Sequence, residues 1–354
     1  MSPRKSKVYV GLDISSNSVK VAEVTAGKEA PVLTNLGTVP IPEGVVRDGE
    51  VEDGVTLAEA LKELWSITGI KEKSVILGIA NQKVIVRPIE LPYMEKEELD
   101  SALRFQVQEF IPIPIEDAIL DYDIIEEFMT AEEERMLTVL LVAAHKDMIN
   151  TFIEVLREAG LTPSAIDLKA FALPRSLIPL AELQAAYEEA EAVCLINVGA
   201  GITNITILKE NVPRFARFLL RGGDDFVRNM VNRLDMQWEE AEAVRRGKVT
   251  NPEAQEVLQQ DIFGFVGEIR RSIDYYIAQT QERAFRKVIL SGSGSLTVNL
   301  VQEMNRGLRI PVEVGKPLQN VQLGRLPYTP EELAEIEPTV AVCVGLALRE
   351  VVEG

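Results

Sequence analysis

Two stretches of this chain share one pattern, and together they limit what it can fold into. Ala192 to Leu208 reads AVCLINVGAGITNITIL. An apolar run ends at Asn197, small residues follow (Gly199, Ala200, Gly201), and Ile202, Asn204 and Thr206 then alternate with Thr203, Ile205 and Ile207. This is strand, tight turn, strand. Val8 to Val24, VYVGLDISSNSVKVAEV, has the same form around a polar turn of Ser15, Ser16, Asn17 and Ser18. Two such hairpins far apart in the chain imply two related halves, with a ligand held between the turns.

Length supports that division: 354 residues exceed one ordinary core. The formal net charge of −18 disfavours nucleic acid and anionic lipid alike. The basic opening MSPRKSK reads as a solvated tail, and no apolar segment follows it, so no secretion signal is expected. No stretch reaches the ~18 apolar residues of a membrane helix. Cys194 and Cys343 lie in apolar runs and read as buried, reduced thiols of a cytosolic protein. The lone His145 excludes chemistry that needs several histidines.

Between the hairpins the texture changes. Residues 84–161 read β-α-β-β-α, a small α+β unit inserted into the first half. Before it, Arg47–Asp53 is a polar turn, and Thr56 is the expected cap of a helix burying Leu57, Leu61, Leu64 and Trp65. After it come a strand at Ser164–Leu168 and helices at Ala170–Leu180 and Leu183–Ala192. Beyond the second hairpin lies one long amphipathic helix, Glu253–Arg283, with a possible kink site at Gly264 and Gly267. Lys287–Leu290 is a strand running into SGSGS, Leu296–Arg306 a helix, and Pro338–Val351 a final helix. Trp65 and Trp238 are assigned to the core.

The first turn carries the chemistry. Asp13 ends a buried strand, where a carboxylate beside phosphates orients Mg²⁺ through its waters. Lys20 would pair with a phosphate oxygen, and the serines offer donors. Alone, a polar hairpin is only a turn. With the glycine turn and Ser291–Ser295 it becomes a candidate phosphate cradle, since Gly292 and Gly294 stand where a strand ends. SGSGS is not a dinucleotide fingerprint, because Thr297 occupies the third glycine position.

The set GLDISSNSVK, NVGAGITN, LSGSGS and VAVCVGLALR resembles the five-part nucleotide signature of the actin, heat-shock chaperone and sugar-kinase fold. More narrowly, with QEFIPIPIEDAILDYDII, AIDLKAFAL, RGGDDF, EEAEAVRRG and EIRRSIDYY, the chain is similar to the PilM family of type IV pilus assembly, close to the cell-division protein FtsA. The resemblance implies an actin-like (ribonuclease H-like) two-domain α/β fold with an inserted subdomain. Residues 1–83, 162–190 and 338–354 would form the first domain, 84–161 the partner-binding insertion, 191–235 and 287–337 the second domain, and 236–286 a helical subdomain closing over the nucleotide. It implies ATP and Mg²⁺ as ligands. Asp13, Ser15, Ser16, Asn17, Ser18 and Lys20 would form the first phosphate loop, Asp13 holding metal through water. Asn197, Gly199, Ala200, Gly201 and Thr203 would form the second, with Gly222 and Gly223 lining the cleft. Gly292, Ser293 and Gly294 would face the adenosine, under Glu268, Arg271 and Ser272; a solvated helix face is the plainer reading of that last trio. Ile166–Ala172 and Val340–Leu346 would connect the halves.

Two departures weaken the expectation of hydrolysis. The strand before the second turn ends in Asn197, where actin-like hydrolases carry Asp, and Lys169 stands near the position that usually positions the attacking water. ATP binding with weak or no turnover is expected. The resemblance implies a cytoplasmic scaffold recruited to the inner face of the cytoplasmic membrane by the N-terminal tail of a PilN-like protein, with pilus motor ATPases and self-association as further contacts. An FtsA-like filament-forming ATPase and a sugar-kinase-type enzyme stay open as alternatives. No sugar-facing base is evident, and the chain as given ends after GLALRE without an amphipathic membrane helix.

Overall fold

The computed structural model describes residues 7–27, 30–183 and 191–352. Both hairpins form as read. Val8–Ile14 pairs antiparallel with Ser18–Thr25, setting Asp13 opposite Lys20; Ala192–Val198 pairs antiparallel with Thr203–Lys209, setting Asn197 opposite Asn204. Each hairpin is then extended in the same way. A third antiparallel strand lies on one side, Val32–Pro40 in the first half and Val212–Leu219 in the second. Two parallel strands lie on the other, Ser74–Ile79 then Thr162–Leu168, and Phe285–Ser291 then Val312–Val314. The repeat seen in two turns is a repeat of whole sheets.

Parallel strands need cover on both faces. In the first half, Leu57, Leu61, Leu64 and Trp65 of the helix Gly54–Thr68 supply one cover. In the second, Ile262, Phe265, Ile269 and Tyr276 of the helix Pro252–Thr280 and Phe226 of the helix Gly223–Leu234 do so. Between the halves, the helices Lys169–Leu177 and Ala341–Ala347 share a core in which Ala172, Leu173, Val342 and Leu346 meet Val193, Leu195 and Ile289. A Cβ on Gly345 would stand 1.9 Å from the Ala172 carbonyl oxygen, so this crossing requires glycine. The segments read as connections, Ile166–Ala172 and Val340–Leu346, meet here.

The inserted unit has its own antiparallel sheet, Ile85–Pro92, Arg135–His145 and Ala118–Met129, covered by Lys96–Gln106 over a core including Ile89, Leu99, Leu103 and Val139. Its last expected helix goes elsewhere. Lys146–Glu158 buries Met148, Phe152, Val155 and Leu156 with Leu57 and Leu61 in the first half, so the unit with a separate core ends at His145 rather than at 161. The second-half boundary at 337 also moves: Gln322–Leu323 adds to Val32–Leu33 at the edge of the first sheet.

Other expectations shift for local reasons. Asp53, not Thr56, caps the helix: its Oδ1 accepts from the Thr56 N–H at 3.0 Å and its Oδ2 from Thr56 Oγ1 at 2.7 Å. The polar turn at 47–53 carries a small hairpin, Val46–Arg47 with Glu50–Val51, turning through Asp48 (φ 53°) and Gly49 (φ 81°). The long helix is continuous through Gly264 and Gly267, while the terminal helix is divided into Glu337–Val340, Ala341–Ala347 and Arg349–Val352. The helix after SGSGS starts at Leu300, not Leu296. Trp65 is buried, but Trp238, at the start of a helix, is 37% exposed over a cavity. The opening tail and most of the helix expected at Leu183–Ala192 lie outside the described residues; Ala192 itself begins a strand. No described helix is long and apolar enough to cross a membrane.

Candidate functional site

The two turns face each other across the gap between the halves. A Cβ on Gly201 would lie 2.9 Å from Ser16 Oγ, so the two turns are in contact at this point. A chain of hydrogen bonds crosses beside them. Lys20 Nζ donates to Ser18 Oγ at 2.8 Å, Ser18 Oγ to Asn17 Oδ1 at 3.0 Å, and Asn17 Nδ2 to both carboxylate oxygens of Asp224 at 3.2 Å. Asp224 lies in the first turn of Gly223–Leu234, and burial raises its carboxyl above the ordinary value.

Asp13 sits at the foot of the cleft with 8% of its side chain exposed. Lys169 Nζ lies 2.7 Å from its Oδ1 and also donates to the Ile14 carbonyl oxygen. Burial alone would raise the Asp13 carboxyl, but Lys169 and Lys20 outweigh it and hold the group below the usual carboxylate range. The Lys169 contact has the distance of an ion pair without hydrogen-bond alignment, which leaves Asp13 Oδ1 without an aligned donor. Asn204 Oδ1 is likewise buried and unpartnered on the cleft wall. In the second half, Asn197 Oδ1 accepts from Ser291 Oγ at 3.1 Å.

Of the expected site residues, Asp13, Ser15, Ser16, Lys20, Asn197, Gly199, Ala200, Gly201, Gly292 and Ser293 line one cleft. Its volume is about 50 Å³, room for a few waters. An adjoining cavity of about 560 Å³ shares Ser16 and Gly201 and is walled by Asn17, Asp224 and Trp238.

The remaining expected residues do not line that cleft. Thr203 Oγ1 donates to the Arg221 carbonyl at 2.7 Å, and Ser18 is occupied by Lys20 and Asn17. Gly222, Gly223 and Gly294 serve close backbone packing: Cβ atoms there would stand 2.1 Å from the Ala200 oxygen, 3.0 Å from Gly294 Cα and 2.3 Å from Val198 Cγ1 respectively. On the long helix, Glu268 pairs with Arg221 at 2.7 Å, Ser272 bonds the Glu268 carbonyl and Arg271 is exposed. Of the three only Arg271 lies on a solvated helix face, since Ser272 is buried.

Sequence reasoning missed several contributors. Asp48 and Gly49 bring the small hairpin to the cleft, joined by Asn204 and Thr339. Arg245, 3% exposed and paired with Glu242, donates to the Ser293 carbonyl at 3.2 Å and to Thr297 Oγ1 at 2.9 Å, fixing the SGSGS loop. Its signal was the Glu242, Arg245, Arg246 spacing of one helix face. Both thiols are buried as expected; burial raises each, that of Cys343 to about 12.

A divalent ion fits this set poorly. Among the described residues there is no group of three His, Cys, Asp or Glu that could hold one by protein ligands alone. The one carboxylate expected to orient it already faces the Lys169 ammonium, and Asn197 is neutral and engaged.

Comparison with known proteins matches residues 11–351 to the family described as type IV pilus assembly protein PilM. A chain of the PilM–PilN type IV pilus biogenesis complex superimposes with a TM-score of 0.83 at 29% identity, covering 99% of both chains. MreB5 of Spiroplasma citri bound to ADP superimposes at 0.55 and 10% identity, covering 99% of this chain and 98% of that one, which shows the shared actin-like fold. Cell division protein FtsA of Bacillus subtilis (strain 168) is 22% identical over 265 residues, 68% of this chain and 58% of FtsA.

Proposed function

The chain belongs to the type IV pilus assembly protein PilM family, and from that premise we propose that it is an ATP-binding scaffold of the pilus assembly complex. It docks the N-terminal tail of a PilN-like membrane protein and is held by it at the inner face of the cytoplasmic membrane. The observation that carries this reading is the likeness to a chain of the PilM–PilN complex along essentially the whole length. The filament-forming and sugar-kinase alternatives are not favoured.

The inserted unit leaves a groove of about 300 Å³ against the first half, lined by Tyr122, Ile125 and Val142 on one side and Phe171 and Pro174 on the other. Asp121 and Asp123 add negative charge there, while Asp167 is paired with Arg175 and Arg349 of the same groove. Such a groove suits a short peptide with apolar anchors and basic residues. Titration of the labelled tail of a PilN-like protein by fluorescence anisotropy tests the proposal. Saturable binding is expected, weakened about tenfold or more by Ile125→Asp. Unchanged binding by that variant overturns the groove, and no binding by the intact protein overturns the scaffold.

ATP is assigned to the cleft between the turns, with Asn197 lacking the charge of an Asp and Lys169 engaged by Asp13, which leaves hydrolysis weak or absent. Phosphate release slower than about 1 per second is expected, the low end of ordinary enzymes. Mg²⁺ would have to arrive on the phosphates, since Asp13 is already paired.

A further inference from the structure

The foot of the cleft already holds a cation supplied by the chain. Lys169 opens its helix directly after the strand Thr162–Leu168, yet its ammonium reaches the end of the first strand, 2.7 Å from Asp13 Oδ1 and bonded to the Ile14 carbonyl. Only 11% of the side chain is exposed. Its stem is packed so closely that a Cβ on Gly78 would stand 3.2 Å from Lys169 Cγ. This is a built position, not a solvated surface charge.

The surroundings leave little for a divalent ion to bind. Lys20 stands opposite Asp13 in the hairpin register and brings a second ammonium, steadied by Ser18. At the matching position of the other half, Asn197 carries no charge and accepts from Ser291. Asp48, the other acid on the cleft wall, belongs to the separate hairpin at Val46–Val51. Mg²⁺ is held by one or two carboxylates together with phosphates and waters, in near-octahedral geometry. Here the carboxylate in question is neutralised by one ammonium and attracted by another, and a dication beside it would meet two like charges. A polyphosphate, by contrast, would find both ammonium groups of the right sign.

We propose that Lys169 is the resident cation of this phosphate site, standing in place of a divalent metal, so that a nucleoside triphosphate binds in metal-free form. The proposal rests on the nucleotide reading above and deepens it.

Calorimetry on the intact protein tests it with ATP in EDTA and ATP in excess Mg²⁺. The affinity should be several-fold higher in EDTA than in excess Mg²⁺, where a site for metal-free ATP must compete with Mg²⁺ for the nucleotide. Lys169→Met should weaken metal-free ATP about tenfold or more, while Lys169→Arg retains it. A wild-type affinity that drops about tenfold in EDTA, or a Lys169→Met variant with unchanged metal-free affinity, overturns the proposal. If Lys169→Met does not fold, the wild-type and Lys169→Arg comparison still decides. Electron paramagnetic resonance of Mn²⁺ added to nucleotide-free protein gives a separate readout. The wild type should take up none at the cleft, and Lys169→Met should gain a site that Lys169→Met/Asp13→Asn lacks. Failure to gain it counts against Lys169 as the metal's substitute. Absence of ATP binding in both media would overturn the nucleotide reading, leaving the Mn²⁺ result to decide the role of Lys169.

Discussion

The two hairpin turns share register and surroundings but differ in chemistry. The first has no glycine and is built on charge: Asp13 faces Lys20 in the hairpin and Lys169 across the sheet, and serines and Asn17 fill the turn. The second carries no charge: Asn197 faces Asn204, and glycines replace side chains where backbone must approach backbone. One backbone plan thus serves two purposes. The first turn stores its specificity in buried ion pairs, which tolerate little loss of a partner. The second stores it in close packing, which tolerates little gain of volume.

That contrast can be broken by experiment, and the largest expected effect is at Asp13. Asp13→Asn leaves the Lys169 ammonium buried beside a neutral amide and should lower stability by about 3–5 kcal/mol, read from urea unfolding. The same pair predicts an acid limb. The folded Asp13 carboxyl is depressed, so its contribution is present above the ordinary carboxylate value near 3.8 and is lost as pH falls through the lower folded value. Asp13→Asn should flatten that limb. Next comes the packing of the second turn. Gly222→Ala places a Cβ 2.1 Å from the Ala200 carbonyl oxygen and should cost about 1–3 kcal/mol, whereas Ser16→Ala in the first turn should stay within about 0.5 kcal/mol. Equal losses in the two would remove the distinction.

Smaller effects sharpen it. Asn17→Ala removes the bond to the Asp224 carboxylate and should cost about 1.5 kcal/mol. A larger radius of gyration in solution scattering would report the halves separating; an unchanged one would show that other contacts hold them. Asn197→Ala loses one neutral hydrogen bond to Ser291 and should cost about 1 kcal/mol in the same urea assay. A loss as large as that of Asp13→Asn would mean that the second turn is as electrostatic as the first.

Much of this was legible in the residues. Alternation and turn chemistry are local, so both hairpins, the small α+β unit and the long helix could be read from periodicity alone. The facing turns of the candidate site were legible in part, because glycine and serine at a strand end mark a turn wherever it occurs. The Arg221 partner of Glu268 was not, since a helix face with Glu268 and Arg271 looks the same whether it meets a ligand or Arg221.

What the sequence determined by itself is therefore the set of elements and the twofold plan, because each depends on neighbours within a few positions along the chain. Tertiary structure decided destinations. The stripe Met148, Phe152, Val155 and Leu156 announced an amphipathic helix but not that Leu57 and Leu61 would receive it. Gln322–Leu323 carried no sign that it would join the first sheet. Lys169 read as a lysine near a missing catalytic group, and only the folded chain put its ammonium on Asp13. A side chain's partner across many residues is set by the packing of whole layers, and local pattern carries no record of which layer that will be.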